Sequence, residues 1–187
     1  MAKVIRSSKE IVGVEMKVGD EWDAGYIPAG SAYRRCRVTV RKDAPDRWSV
    51  YAISFLGGEK LTAWDILAFQ CETCAKAFAL CVVYGDKYAG CHIHEQDGFS
   101  DADTYAARVA VLCCLFGLSK ADYATLPRGA IDRLAWIARL ISDGQLTWER
   151  VIRAIKVAEQ MRAQRSLSLE GTISTFYHEA TKIVVYR

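Results

Sequence analysis

No stretch of this sequence stays apolar long enough to cross a bilayer. The longest uncharged apolar run, Val109 to Leu118, holds ten residues, and a spanning helix needs about 20. The opening residues, Met1-Ala2-Lys3-Val4-Ile5-Arg6, lack an apolar signal core. A cytoplasmic protein without membrane contact is therefore expected. Neither sign of charge dominates: Lys and Arg number 25 and Asp and Glu 22, a net of +3, too little on its own to imply nucleic-acid binding. Internal repeats and low-complexity segments are absent. So are G-x-x-x-x-G-K-[ST], G-x-G-x-x-G, G-x-S-x-G and H-E-x-x-H, the patterns of phosphate loops, dinucleotide folds, nucleophile elbows and zinc proteases. Gly57-Gly58-Glu59-Lys60-Leu61-Thr62 lies where a phosphate loop would, between a strand and a helix, but lacks the required spacing. These absences lower the expectation of an enzyme.

What is present is ordinary for a folded chain. Apolar residues make up 51% and charged residues 25% of the 187, which excludes wholesale disorder. The length suits one domain. The charge is uneven, with the first and last thirds basic and the middle acidic, so local patches matter more than the total. Seven cysteines, at 36, 71, 74, 81, 91, 113 and 114, are odd in number and lie mostly among apolar neighbours. They read as reduced thiols filling a core.

Periodicity sets the expected organisation. Val12, Val14, Met16 and Val18 alternate with polar residues as in a strand, followed by a loop over 19–32. Residues 33–41 and 48–56 form an antiparallel hairpin around the turn Asp43-Ala44-Pro45-Asp46. Gly57-Gly58 ends the strand. Leu61, Trp64, Leu67, Cys71, Phe78 and Cys81 then recur at helical spacing from Thr62 to about Tyr84. Ser100 caps a helix that is apolar almost all round and stops at Gly117. A short turn of helix follows Ser119. Two amphipathic helices then run to Asp143-Gly144 and from Thr147 to Arg165. Residues 167–187 read as a final hairpin around His178-Glu179. The expectation is a single α+β domain over 1–187, with a β-rich segment 1–60, a helical segment 61–166 and a C-terminal β-hairpin 167–187. Its mainly antiparallel sheet would pack on four to five central helices.

The sharpest chemical pattern is Cys71-x2-Cys74 followed by Cys91-x2-His94, spaced like the ligands of a structural zinc site. A helical pattern running straight through Cys71 and Cys74 argues against it. A redox role for the same pair needs a helix N-terminus, and a position two to three turns inside a helix withholds one. Cys91, His92, His94, Glu95 and Asp97 gather a nucleophile, bases and carboxylates on one loop, but residues so close in sequence are hard to place around one reacting atom. Two basic patches remain. Arg34, Arg35, Arg37 and Arg41 gather on the first hairpin. Arg150, Arg153 and Lys156 follow at helical spacing, with Arg162 and Arg165 toward the helix end. Arg150 and Arg153 fall where a DNA-reading helix-turn-helix wants buried apolar residues, so 131–165 reads as an αα-hairpin with a basic side.

The leading expectation is a non-catalytic binding protein without cofactor, accessory or inhibitory, of bacterial or phage type. Its partner would be a protein or nucleoprotein complex, for example a nucleic-acid-binding host complex that it blocks, or nucleic acid itself. The alternatives are a small nucleic-acid-binding protein with zinc held by Cys71, Cys74, Cys91 and His94, and an enzyme with a site at Cys91, His92 and His94.

Overall fold

The computed structural model describes residues 3–4, 15–27, 34–85 and 98–182. The fold is α+β, as the order of elements led us to expect. Strands β2 (Glu21–Ile27), β3 (Arg34–Ala44), β4 (Arg47–Leu56) and β5 (Glu59–Phe69) form an antiparallel sheet in chain order. The two-residue β1 (Lys3–Val4) pairs parallel to β2, with Lys3 opposite Trp22. The helices are α1 (Glu72–Tyr84), α2 (Asp101–Leu115), α3 (Lys120–Ala124), α4 (Arg128–Ser142), α5 (Trp148–Arg165) and α6 (Leu169–Thr181). Among the described residues, no helix is long and apolar enough to cross a membrane. The chain divides into two compact units, Met1–Gly117 and Leu118–Arg187. The boundary falls inside the stretch read from sequence as one helical segment.

In the first unit, α1 and α2 pack on the sheet. Cys36, Val38 and Val40 of β3 point into that layer with Val50 and Ala52 of β4, all fully buried. The expected hairpin is present, with Arg35 opposite Phe55 and Arg41 opposite Ser49. Three other expectations fail for physical reasons. Of the strand expected over 12–18, residues 15–18 form no strand and 12–14 lie outside the described residues, while a strand lies in the expected loop, at β2. There a register shift between Asp23 and Gly25 breaks the period of two, so alternation is hidden. Gly57 and Gly58 do not end the sheet. With φ of +58° and +88° they make a two-residue turn that puts Leu56 opposite Glu59, a geometry that glycine pairs favour. Residues 59–69 are therefore strand β5, and the helix expected from Thr62 begins at Glu72.

Gly25 has φ +150°, and a Cβ there would meet the Tyr84 hydroxyl at 2.5 Å. We expect Gly25→Ala to cost about 1–3 kcal/mol, from backbone strain and displacement of Tyr84. Urea unfolding of the two proteins measures it.

α2 matches its sequence signals closely. Ser100 and Asp103 form a reciprocal capping box, and Ala107, Val111, Leu112, Cys113 and Cys114 are buried. In the second unit, α6 packs against both α4 and α5. α6 corrects the expected C-terminal hairpin over 169–181, and residues 183–187 lie outside the described residues. Ser168 accepts a bond from the Gly171 N–H and starts a helix, whose buried face is Thr172, Ile173, Phe176 and Ala180. Those positions recur at helical spacing. The β-branched Thr172, Ile173 and Thr175 mimic a strand.

Candidate functional site

Two of the sheet arginines are bound up with acids of the same sheet, Arg37 with acids of β2 and Arg41 with an acid of its own strand. Arg37 places Nη1 3.2 Å from Asp23 Oδ2 and Nη2 3.3 Å from Glu21 Oε2, and its guanidinium lies over the Phe55 ring at 5.3 Å. Asp23 is buried. Burial pushes its carboxyl above the ordinary range, and the Arg37 charge pulls it part of the way back. Arg41 donates from Nε to Asp43 at 2.7 Å and from Nη2 to the Tyr51 hydroxyl at 3.0 Å, and stacks on that ring at 4.8 Å. Arg35 is exposed opposite Phe55, and Arg34 takes the register position opposite Leu56. Arg37 and Arg41 thus serve to hold strand to strand.

The second basic patch is organised differently. On α5, Arg150, Arg153, Ala154 and Val157 fall at i, i+3, i+4 and i+7, one face of the helix. They wall a groove of about 200 Å3 whose other side is Glu179, Ala180 and Lys182, from the end of α6. The floor is apolar, and the rim carries three cations against one carboxylate. Arg153 pairs with Glu149 at 2.7 Å and Lys182 with Glu179 at 2.6 Å. The first pair is largely exposed and the second partly so, and surface contacts of this kind contribute about 0.5 kcal/mol. Arg150 is a half-buried residue and, among the described residues, its guanidinium forms no ion pair. Thr147 caps the helix by accepting from the Arg150 backbone N–H, which fixes the start of this face. Lys156, Arg162 and Arg165 are exposed on the same helix, outside the groove lining. Sequence showed the α5 half of the site. It missed Glu179 and Lys182, because 167–187 read as strands.

The cysteines separate into two kinds. Among the described residues, Cys36, Cys74, Cys81, Cys113 and Cys114 are buried in the core and Cys71 is half-buried. Burial pushes the Cys113 thiol up to about 12. Cys114 is raised by its hydrogen bond with Cys36 and by burial, and its Sγ donates to the Ala52 carbonyl at 3.5 Å. We expect Cys113 and Cys114 to stay unlabelled by a thiol reagent at neutral pH while the protein is folded, and to react once it is unfolded. Mass spectrometry of labelled peptides reads both states.

Cys71 and Cys74 lie at the start of α1. Their expected place deep inside a helix is wrong: Cys71 is the N-cap of α1 and Cys74 lies in its first turn. The objection to a role for this pair therefore falls. The other residues of the zinc and enzyme expectations, Cys91, His92, His94, Glu95 and Asp97, lie outside the described residues. Among the described residues, no three metal-ligating side chains converge. Comparison of the chain with protein-family models, curated proteins and solved structures finds no match.

Proposed function

We propose that the chain works by binding a protein partner, through insertion of an acidic side chain of that partner into the α5–α6 groove. The observation that carries this reading is Arg150, half-buried in the groove wall beside Arg153 and Lys182, with no ion pair of its own among the described residues. The weak exposed pairs beside it open at little cost to an incoming carboxylate. The apolar floor of Ala154, Val157 and Ala180 suits the aliphatic part of a glutamate or its neighbour. A protein is favoured over nucleic acid on two grounds. Tight binding to a duplex commonly engages six or more phosphates along an extended cationic track, and this groove is short. Glu179 within it would also repel a run of phosphates. An accessory or inhibitory role follows if the acidic surface is one that the partner needs for another contact.

The test uses the full chain as bait in a cell lysate, beside the variant Arg150→Glu/Arg153→Glu, with and without nuclease. The reading expects a protein retained by the native bait after nuclease treatment and lost with the variant. Retention by both baits, or loss of all capture on nuclease treatment, overturns it.

A further inference from the structure

We propose that Cys71 and Cys74 are a redox-active dithiol, which exchanges with small disulfides of the glutathione class and closes to a Cys71–Cys74 disulfide. This inference is independent of the groove. The Ala75 N–H bonds to the Cys71 carbonyl at 3.1 Å, so the first turn of α1 is closed around the pair. Three residues along a closed helical turn set Cα atoms about 5 Å apart, inside the span of disulfides. Cys71 has extended backbone angles, φ −122° and ψ 125°. Its side chain makes no cap hydrogen bond, and Cys74 is the third residue of the helix it starts.

The two thiols differ as the two roles in exchange require. Cys71 is half-buried and Cys74 is fully buried, so a disulfide from solution meets Cys71 first and Cys74 is held back as the resolving thiol. Charge around the pair is also suitable. The carboxylate between them, Glu72, is occupied by the buried Lys76 ammonium at 2.6 Å and the Met16 N–H at 3.4 Å. The sulfur anions of each step develop at the positive end of the helix dipole. The core thiols Cys36, Cys113 and Cys114 have neither access nor such surroundings.

The exchange proceeds in two displacements. The Cys71 thiolate attacks one sulfur of R–S–S–R, forming the mixed disulfide Cys71–S–S–R and releasing RS−, which takes up the proton that Cys71 gave. The Cys74 thiolate then attacks the Cys71 sulfur, forming Cys71–S–S–Cys74 and releasing the second RS−, which takes up the Cys74 proton. The dithiol loses two electrons and the small disulfide gains two.

The experiment equilibrates the reduced full chain with mixtures of reduced and oxidised glutathione, quenches with acid, alkylates the remaining thiols and maps the peptides by mass spectrometry. The expected result is loss of the Cys71 and Cys74 thiols in step, with a linked peptide lighter by two hydrogens, while Cys113 and Cys114 remain alkylated. Cys74→Ser is expected to collect one glutathione on Cys71. Cys71→Ser is expected to take neither adduct nor bridge. Circular dichroism checks that each variant is folded, and serine suits the cap position that Cys71 holds. The proposal is overturned if both thiols persist under excess oxidised glutathione, if Cys71 bridges to Cys91 instead, if Cys74→Ser collects no adduct on Cys71, or if the purified chain carries stoichiometric zinc that a chelator must remove before either thiol reacts.

Discussion

Replacing Arg37 with glutamate is expected to destabilise the first unit by about 3–5 kcal/mol, the scale for breaking a largely buried ion pair. The Arg37 side chain is 16% exposed and the Asp23 side chain 4%. A glutamate here would face Glu21 and the buried Asp23, and three carboxylates would share one corner of the sheet. The loss of the guanidinium over Phe55 adds to the effect. Asp23 would respond by taking up a proton. A carboxyl whose folded-state pKa lies above its unfolded value binds protons more tightly when folded. Its contribution to stability is therefore fully present below the unfolded pKa and is lost as pH rises through the folded pKa. Arg37→Glu should accordingly recover stability on mild acidification, toward pH 4. The matched control is Arg150→Glu/Arg153→Glu, which changes exposed or half-exposed positions and is expected to stay within about 0.5 kcal/mol per site. Urea unfolding at two pH values measures all of these. Equal stability of Arg37→Glu and the native chain would return the sheet arginines to the pool of candidate contact residues.

A second large effect is expected at Glu72. Its Oε1 lies 2.6 Å from Nζ of Lys76, a lysine with no exposed surface, whose ammonium also lies 5.4 Å from the centre of the Trp22 ring. Glu72→Gln takes a full negative charge away from a buried cation, and the expected loss is about 3 kcal/mol. Lys76→Met should cost less, because methionine fills much the same volume without a charge and Glu72, at 19% exposed, keeps contact with water. The double variant Glu72→Gln/Lys76→Met should then be more stable than Glu72→Gln alone, and the cycle gives the coupling between the two residues. Additive losses in the double variant would show that the pair is not coupled.

The elements legible in the sequence were those that local chemistry dictates. Ser100 and Ser119 start helices where their residue types suggest, and each forms a capping box with the aspartate three residues on. Thr147 and Gly144 bracket the α4–α5 turn where their residue types suggest. The β3–β4 hairpin followed from its turn residues. Errors arose where tertiary pairing decided the outcome. Leu61, Trp64 and Leu67 fit a helical stripe, yet the Gly57-Gly58 turn brings 59–69 alongside β4 and the strand prevails. Two register shifts in that pairing remove the clean alternation that would have marked a strand. Thr172, Ile173 and Thr175 have strand propensity, but the Ser168 cap and the face presented to α4 and α5 make α6 a helix.

The candidate site divides along the same line. Arg150 and Arg153 could be read from spacing on one helix. Their convergence with Lys182 depends on α6 and could not. Conversely, Arg35, Arg37 and Arg41 read as an open basic face, because the acids that engage Arg37 come from β2 and the acid that engages Arg41 sits at the end of β3. Cys71 and Cys74 were misplaced for the reason that hid β5: once 59–69 is strand, the helix must begin at the first cysteine.

The most direct test of the groove as a binding site is a titration of the full chain against a fluorescein-labelled oligoglutamate peptide, followed by fluorescence anisotropy at several salt concentrations. A single-stranded oligonucleotide of equal charge serves as the comparison. The account predicts that the peptide binds more tightly than the oligonucleotide. Rising salt should weaken its binding gently, in keeping with a few charges, and Arg150→Glu/Arg153→Glu should weaken it at least tenfold without loss of fold. Tighter binding of the oligonucleotide with a steep linear dependence of log affinity on log salt, or peptide binding unchanged in the variant, would contradict it.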